Sequence, residues 1–364
     1  MPREGIERIS LKLRGKSLEL DRKVTQDWGY ASGSEIFTQR LYLASPGGAY
    51  LAYAHGKSGA LHVRDRRGHE RTIARVHGRD VRFSADERYL ATVRSPAGGG
   101  VEVVVMELAT GKLRALGAIH EATWLEWVAD GVVASHVDPE TRLPVITLYP
   151  LAGEPRVIAD GIGLAARFTS ARRGSRVMYF VEKRAYVVDT ADAAAEPVLV
   201  GELPAAVNNA EMAPDGSEAA IVTAAGLYRA RGAELALELL SSDTSVHTVW
   251  FSADGGQLAY ATPSEAVVLA GDARHAFAAA DYDLGAMRFR AGGGGLVLAV
   301  GHKAILWRPD TDARTVLADA GADRTMQGAD VYDGGVVTWS LEVRRKGDRK
   351  AYHGNANEPF ALAD

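Results

Sequence analysis

The chain has 364 residues, 47% of them apolar and 24% charged, with 39 glycines and no cysteine. The lack of cysteine removes disulfides, thiolate catalysis and Cys-ligated zinc together, and it suits a reducing compartment. With 42 basic against 46 acidic residues and a formal net charge of −4, the chain lacks the basic excess of a general nucleic-acid or membrane-surface binder. No apolar run approaches the ~20 residues that span a bilayer.

In chain order, residues 6–13 (IERISLKL) and 16–23 (KSLELDRK) alternate apolar and polar around Gly15, which predicts a hairpin. The opening MPREGIERIS has no apolar core of a secretory signal, so a cytoplasmic location is expected. Residues 24–38 (VTQDWGYASGSEIFT) read as a crossover linker.

From residue 39 one sentence is rewritten along the chain: a short strand, a tight turn and a second short strand. The best copies are RFSADERYLATV (82–93), EMAPDGSEAAIV (211–222) and WFSADGGQLAYA (250–261). Looser copies surround Gly47, Asp130, Arg172, Gly292 and Asp333. With Asp86, Asp215 and Asp254 these turn markers recur every 38 to 44 residues. A period of about 40 residues signals a repeat architecture. Asp and Gly recur at the turn because a tight hairpin needs positive φ, which they tolerate.

Two weaker strands follow each copy, as in residues 101–108 and 113–116 around the turn Thr110-Gly111-Lys112. Four short strands per repeat predict propeller blades. The Ala-rich pieces 189–196 and 275–281 are read as loops. The final repeat has only two strands, near 327–330 and 335–343. An open ring would leave unpaired edges, so the opening hairpin is expected to supply the outer strands of the last blade. The expectation is one all-β propeller domain over 1–364 with eight four-stranded blades. Seven blades with a divergent terminal pair is the alternative. The repeats occupy 39–343, followed by the basic run RRKGDRK and a tail over 344–364.

VHGRDVRFSADERYLATV (76–93) resembles a WD-repeat core, in which a Gly-His pair precedes the inner strand and a Ser-Pro-Asp-Gly turn follows it. LHVRD (61–65) and ILWRPD (305–310) resemble that family's third strand, which usually ends in Trp-Asp. No copy carries the full Gly-His and Trp-Asp set. TolB-like periplasmic propellers share the S-x-D-G hairpin, and the motifs do not separate the two groups. Both resemblances imply a propeller used mainly for protein contacts.

Four residues before each turn marker stand Leu43, Arg82, Glu126, Phe168, Glu211, Trp250, Arg288 and Ala329. Arg82, Glu126, Glu211 and Arg288 are thereby expected on the channel-facing side of innermost strands. The next positions, among them Phe83, Trp127, Met212 and Phe251, are expected to wedge between blades. Three residues further up, Arg79, Asn208 and His247, with Gln327, are expected to crown one mouth, where loops present binding groups.

His55, His62, His69 and His77 recur at short intervals but span three strands of one repeat, and no H-x-H or H-E-x-x-H is present, so no metal site is expected. There is no G-x-S-x-G nucleophile motif. The Thr-Gly-Lys turn faintly resembles that of quinoprotein dehydrogenases but lacks the closing Trp. The basic run 344–350 reads as a solvated edge, and Gly292–Gly295 as a turn rather than a phosphate loop. The expected function is a non-catalytic protein–protein interaction platform or structural subunit of a larger assembly. It would bind one or more proteins and use no cofactor. The alternative is a hydrolase or lactonase using Glu126, Glu211, His247 and a channel-bound metal or polar ligand.

Overall fold

A computed structural model describes residues 3–13, 16–26, 42–54, 59–120, 124–138, 140–160, 162, 167–279, 284–321, 325–332 and 335–345. The linker and tail expected at 27–41 and 346–364 lie outside these residues.

The described residues form 32 strands, β1 (Arg3–Leu13) to β32 (Gly335–Arg345). Seven sheets consist of four consecutive strands each. Blade 1 is β3–β6 (Tyr42–Ile73), blade 2 β7–β10 (Val76–Ile119), blade 3 β11–β14 (Trp124–Ala159) and blade 4 β15–β18 (Phe168–Glu202). Blade 5 is β19–β22 (Val207–Ser241), blade 6 β23–β26 (Thr248–Ala278) and blade 7 β27–β30 (Leu284–Asp319). One further four-stranded sheet, ordered β2-β1-β32-β31, is composite. In it the opening hairpin pairs with the last strand, Ile6 opposite Glu342 and Leu11 opposite Val337. The class is an all-β propeller.

The expectation of eight like blades is corrected. Seven blades follow the repeat, whereas the composite sheet departs from it, with β1, β2 and β32 each running 11 residues. At the inner-hairpin turns blade 7 meets blade 1 directly. The Gly292 amide donates to the Pro46 carbonyl at 2.9 Å. Gly292 has φ +75°, and a Cβ there would stand 3.2 Å from the Gly47 oxygen, so glycine suits both the turn and the contact.

The chain divides into two compact units, Met1–Ile73 with Ala261–Asp364, and Ala74–Tyr260. In the second unit, successive blades bury apolar layers between them. Val93, Val105, Trp127, Val132 and Tyr149 fill the layer of blades 2 and 3. Ile146, Ile158, Phe168 and Val177 fill that of blades 3 and 4. Second strands are apolar without alternation, as in Gly131–Val137, because both faces are covered. In the first unit, Leu306 and Leu317 of blade 7 pack on Met326 and Val331 of β31.

The Ala-rich piece at 275–281, expected as a loop, is mostly strand. Ala273–Ala278 pairs residue for residue with Glu265–Ala270 as the outer strand of blade 6. Pairing to a buried neighbour overrides the weak strand preference of alanine.

Candidate functional site: the charged ladder on the inner strands

The repeated hairpin closes through its serine and aspartate. Ser84 Oγ donates to Asp86 Oδ1 at 2.6 Å and accepts from the Tyr89 amide at 3.0 Å. Ser252 and Asp254 repeat this in blade 6, with Ser252 Oγ to Asp254 Oδ1 at 2.6 Å and the Gln257 amide to Ser252 Oγ at 2.9 Å. These bonds hold the Asp254 carboxyl below its ordinary range, the Ser252 hydroxyl acting first and the Gly256 amide second. The turn thereby sets where the two residues before the serine point.

In blade 4 the turn lacks both side chains. Its backbone bonds, Ala171 N to Arg176 O and Gly174 N to Ala171 O, match those of Ser84 with Tyr89 and Glu87. Ala171 therefore takes the place of Ser84, and Thr169, not Phe168, is the counterpart of Arg82. A one-residue slip reverses every side chain in a strand. Phe168 accordingly enters the apolar layer, and Thr169 Oγ1 accepts from the Met212 amide at 2.9 Å.

With that register the charges fall into a ladder across blades 2 to 5. Arg82 Nε donates to Glu126 Oε1 at 3.3 Å. The other oxygen, Glu126 Oε2, lies 3.9 Å from Arg172 Nε, and Arg172 Nη2 donates to Glu211 Oε1 at 2.7 Å. Glu126 is only 7% exposed. Its Oε1 also accepts from Trp124 Nε1 at 3.1 Å, and the Arg82 guanidinium covers the Trp124 ring at 4.9 Å from its centroid. The neighbouring carboxylates, Glu211 first and Glu126 after it, hold the Arg172 guanidinium charged. Uncharged bonds run alongside: Trp127 Nε1 to Arg82 O at 2.8 Å, and Ser170 Oγ to Trp127 O at 2.7 Å.

Arg288 takes part in a separate pair in the first unit. Its Nη1 donates to Asp330 Oδ2 at 3.1 Å, and the Ala44 amide reaches the same oxygen at 3.2 Å. Burial raises the Asp330 pKa above its ordinary value, with Arg288 opposing that shift.

Thus Arg82, Glu126 and Glu211 are brought together, with Arg172 as the link, and Arg288 stands with Asp330. In the sequence repeat Arg172 stands at the turn marker, and Asp330 lies one residue beyond Ala329, the aligned inner-strand position. Asn208 is exposed and sits where the register of β19 shifts between Val207 and Asn209. Asn209 Nδ2 donates to the His247 carbonyl at 3.5 Å, while the His247 side chain is exposed. Gln327 falls at the shift between Met326 and Gly328, and Arg79 within the shift between Val76 and Val81.

The histidines are used singly. His62 Nδ1 contacts Glu70 Oε1 at 3.1 Å and its ring stacks on Tyr53, whose hydroxyl bonds Glu70. His69 Nδ1 contacts Asp65 Oδ2 at 3.0 Å within one turn. Among the described residues, no group of three or more His, Asp or Glu side chains is placed to hold a metal ion. Among the same residues, no helix is long and apolar enough to cross a membrane.

No protein-family model matches the chain, and no curated protein matches it by sequence. Solved structures match by fold. A prolyl endopeptidase aligns with TM-score 0.54 and 14% identity over 86% of this chain, which spans 56% of that chain. A eukaryotic initiation factor aligns with TM-score 0.50 and 11% identity over 92% of this chain and 98% of that one. These likenesses identify the fold alone, a β-propeller.

Proposed function

We propose that this propeller is a non-catalytic interaction platform or a structural subunit of a larger assembly. The observation that supports this reading is how its inner-strand charges are used. Glu126 and Glu211, the two carboxylates a channel hydrolase would need, are both bound by Arg172. A general acid or base must be free to reach a substrate proton. Here the carboxylate oxygens are engaged by Arg82, Trp124 and Arg172 instead.

The ladder ties four successive blades into a rigid frame. Rigid frames with variable surfaces are suited to presenting contacts to other proteins. The large side chains left exposed on outer strands include Val198, Leu199 and Leu239, and exposed apolar groups in clusters mark contact surfaces.

Affinity capture from native lysate, with the intact chain as bait, tests the reading. A stoichiometric partner that survives stringent washing is the expected result. Turnover of an ester, lactone or peptide substrate that is abolished by Glu126→Gln would overturn it.

A further inference from the structure

The outermost strand of a blade leaves alternate N–H and C=O groups unpaired, and folded proteins blunt such edges with bulges, charges or short length. Among the described residues, most outer strands are blunted in one of these ways. β10 (Leu113–Ile119), β14 (Arg156–Ala159), β18 (Val198–Glu202), β22 (Ala236–Ser241) and β30 (Ala313–Asp319) each shift register against the strand they pair with. β6 (Glu70–Ile73) is unbroken but has only 4 residues. β2 (Lys16–Gln26) is unbroken but carries Lys16, Glu19, Asp21, Arg22 and Lys23. β26 (Ala273–Ala278) has none of these guards, since it pairs with Glu265–Ala270 through all 6 residues without a shift.

The open edge of β26 is also held in place. The Ala279 amide continues the ladder inward, donating to the Ser264 carbonyl at 2.8 Å. Backbone groups alternate in direction along an antiparallel strand, so those of Arg274, Ala276 and Ala278 point to the open side. All three residues are exposed. The strand's arginine is drawn back onto its own blade, where Arg274 Nη2 donates to Glu265 Oε1 at 3.1 Å. Beneath the strand, Phe277 is buried against Trp307 with ring centroids 5.6 Å apart, and the Arg314 guanidinium covers its ring at 4.4 Å.

We infer that two copies of this chain join β26 to β26, antiparallel, about a two-fold axis at Ala276. A two-fold interface must be complementary to itself, and outward residues must face outward residues across the new ladder. The register centred on Ala276 meets both demands. It sets Ala276 opposite Ala276 of the partner subunit and Arg274 opposite Ala278 of the partner subunit. Each outward pair then exchanges both of its main-chain hydrogen bonds. The arginine lies off the axis, so like charges are never directly opposed, and only methyl groups meet at the centre. This self-association goes beyond the platform reading and is tested apart from it.

Sedimentation velocity of the full chain, from low-micromolar to submillimolar concentration, supplies the test. The wild-type chain passes from monomer to dimer over that range. Ala276→Lys and Ala276→Glu each weaken dimerisation at least ~10-fold, because each sets like charges across the axis. Mixed in equal amounts the two variants dimerise again, since Lys then faces Glu, and that recovery shows both are folded. A wild-type chain that stays monomeric overturns the inference, including the case in which a photo-crosslinking residue at position 276 captures a strand of another protein in cells. Dimerisation of Ala276→Lys equal to wild type overturns β26 as the interface. A mixture that stays monomeric overturns the axis at Ala276.

Discussion

Arg172 Nη2 lies 2.7 Å from Glu211 Oε1, so a residue in the turn of blade 4 completes a charge ladder onto the inner strand of blade 5. Removing it leaves Glu126 and Glu211 without their shared counter-charge. Arg172→Met is expected to cost about 2 kcal/mol, since a largely buried carboxylate that loses a charged hydrogen-bond donor keeps its desolvation penalty. The double variant Arg172→Met, Glu211→Gln should lose less than the two single losses added together, because the 2.7 Å pair is then removed whole. Urea unfolding of the double and both single variants, with an unchanged slope, checks this. Full additivity would contradict the coupling of Arg172 to Glu211.

His136 gives the chain a pH dependence of definite sign. Its ring is buried in blade 3, with Nδ1 donating to the Val137 carbonyl at 3.1 Å and Nε2 accepting from Thr147 Oγ1 at 2.9 Å. Burial lowers its pKa below the ordinary 6.5. Below about 6.5 the unfolded chain then binds a proton that the folded chain resists, so stability is full above that pH and falls beneath it. The urea midpoint should drop between about pH 7.5 and about pH 5, and His136→Gln should flatten that drop. An equal slope in both proteins would remove His136 from the account.

Gly117 sits where the outer strand of blade 2 shifts register, between the partners of Val104 and Val103. A Cβ there would come 2.7 Å from Tyr149 Cε1, and Tyr149 is one of the largest fully buried side chains. Gly117→Ala should therefore destabilise by about 1–3 kcal/mol through overpacking. Ala115→Gly, two residues away and exposed, should cost about 1 kcal/mol or less. Thermal unfolding of the pair measures the contrast.

Much of the fold is legible in the sequence because the hairpin turn has a chemical signature. Ser84-Ala85-Asp86 and Ser252-Ala253-Asp254 form the same bonds, so like sequences mark like geometry. The register of blade 4 is not legible, because Ala171-Arg172-Arg173-Gly174 makes the same backbone turn with neither side chain. That single slip hides Thr169 and conceals Arg172 as the ladder's link. Two arginines in a turn that elsewhere holds Pro or Ala followed by Asp or Gly are the signal that was present. The composite sheet has the strand count of a blade, but its 11-residue strands β1, β2 and β32 depart from the repeat, and strand count carries no information on where turns meet. The bulges of the outer strands leave a trace too: Ala115-Leu116-Gly117, Val157-Ile158-Ala159 and Leu199-Val200-Gly201 are apolar pairs followed by a small residue at each shift. Their meaning depends on the neighbouring blade, which no local pattern encodes.

The central claim is that the inner-strand charges hold the blades together while the outer apolar surface makes contacts. Side-by-side affinity capture with a Glu126→Gln, Glu211→Gln variant and a Leu239→Asp variant, each shown to be folded at the working temperature, tests it most directly. The account predicts that the stoichiometric partner is retained by the first and lost by the second. Loss from the first with full retention by the second would contradict it.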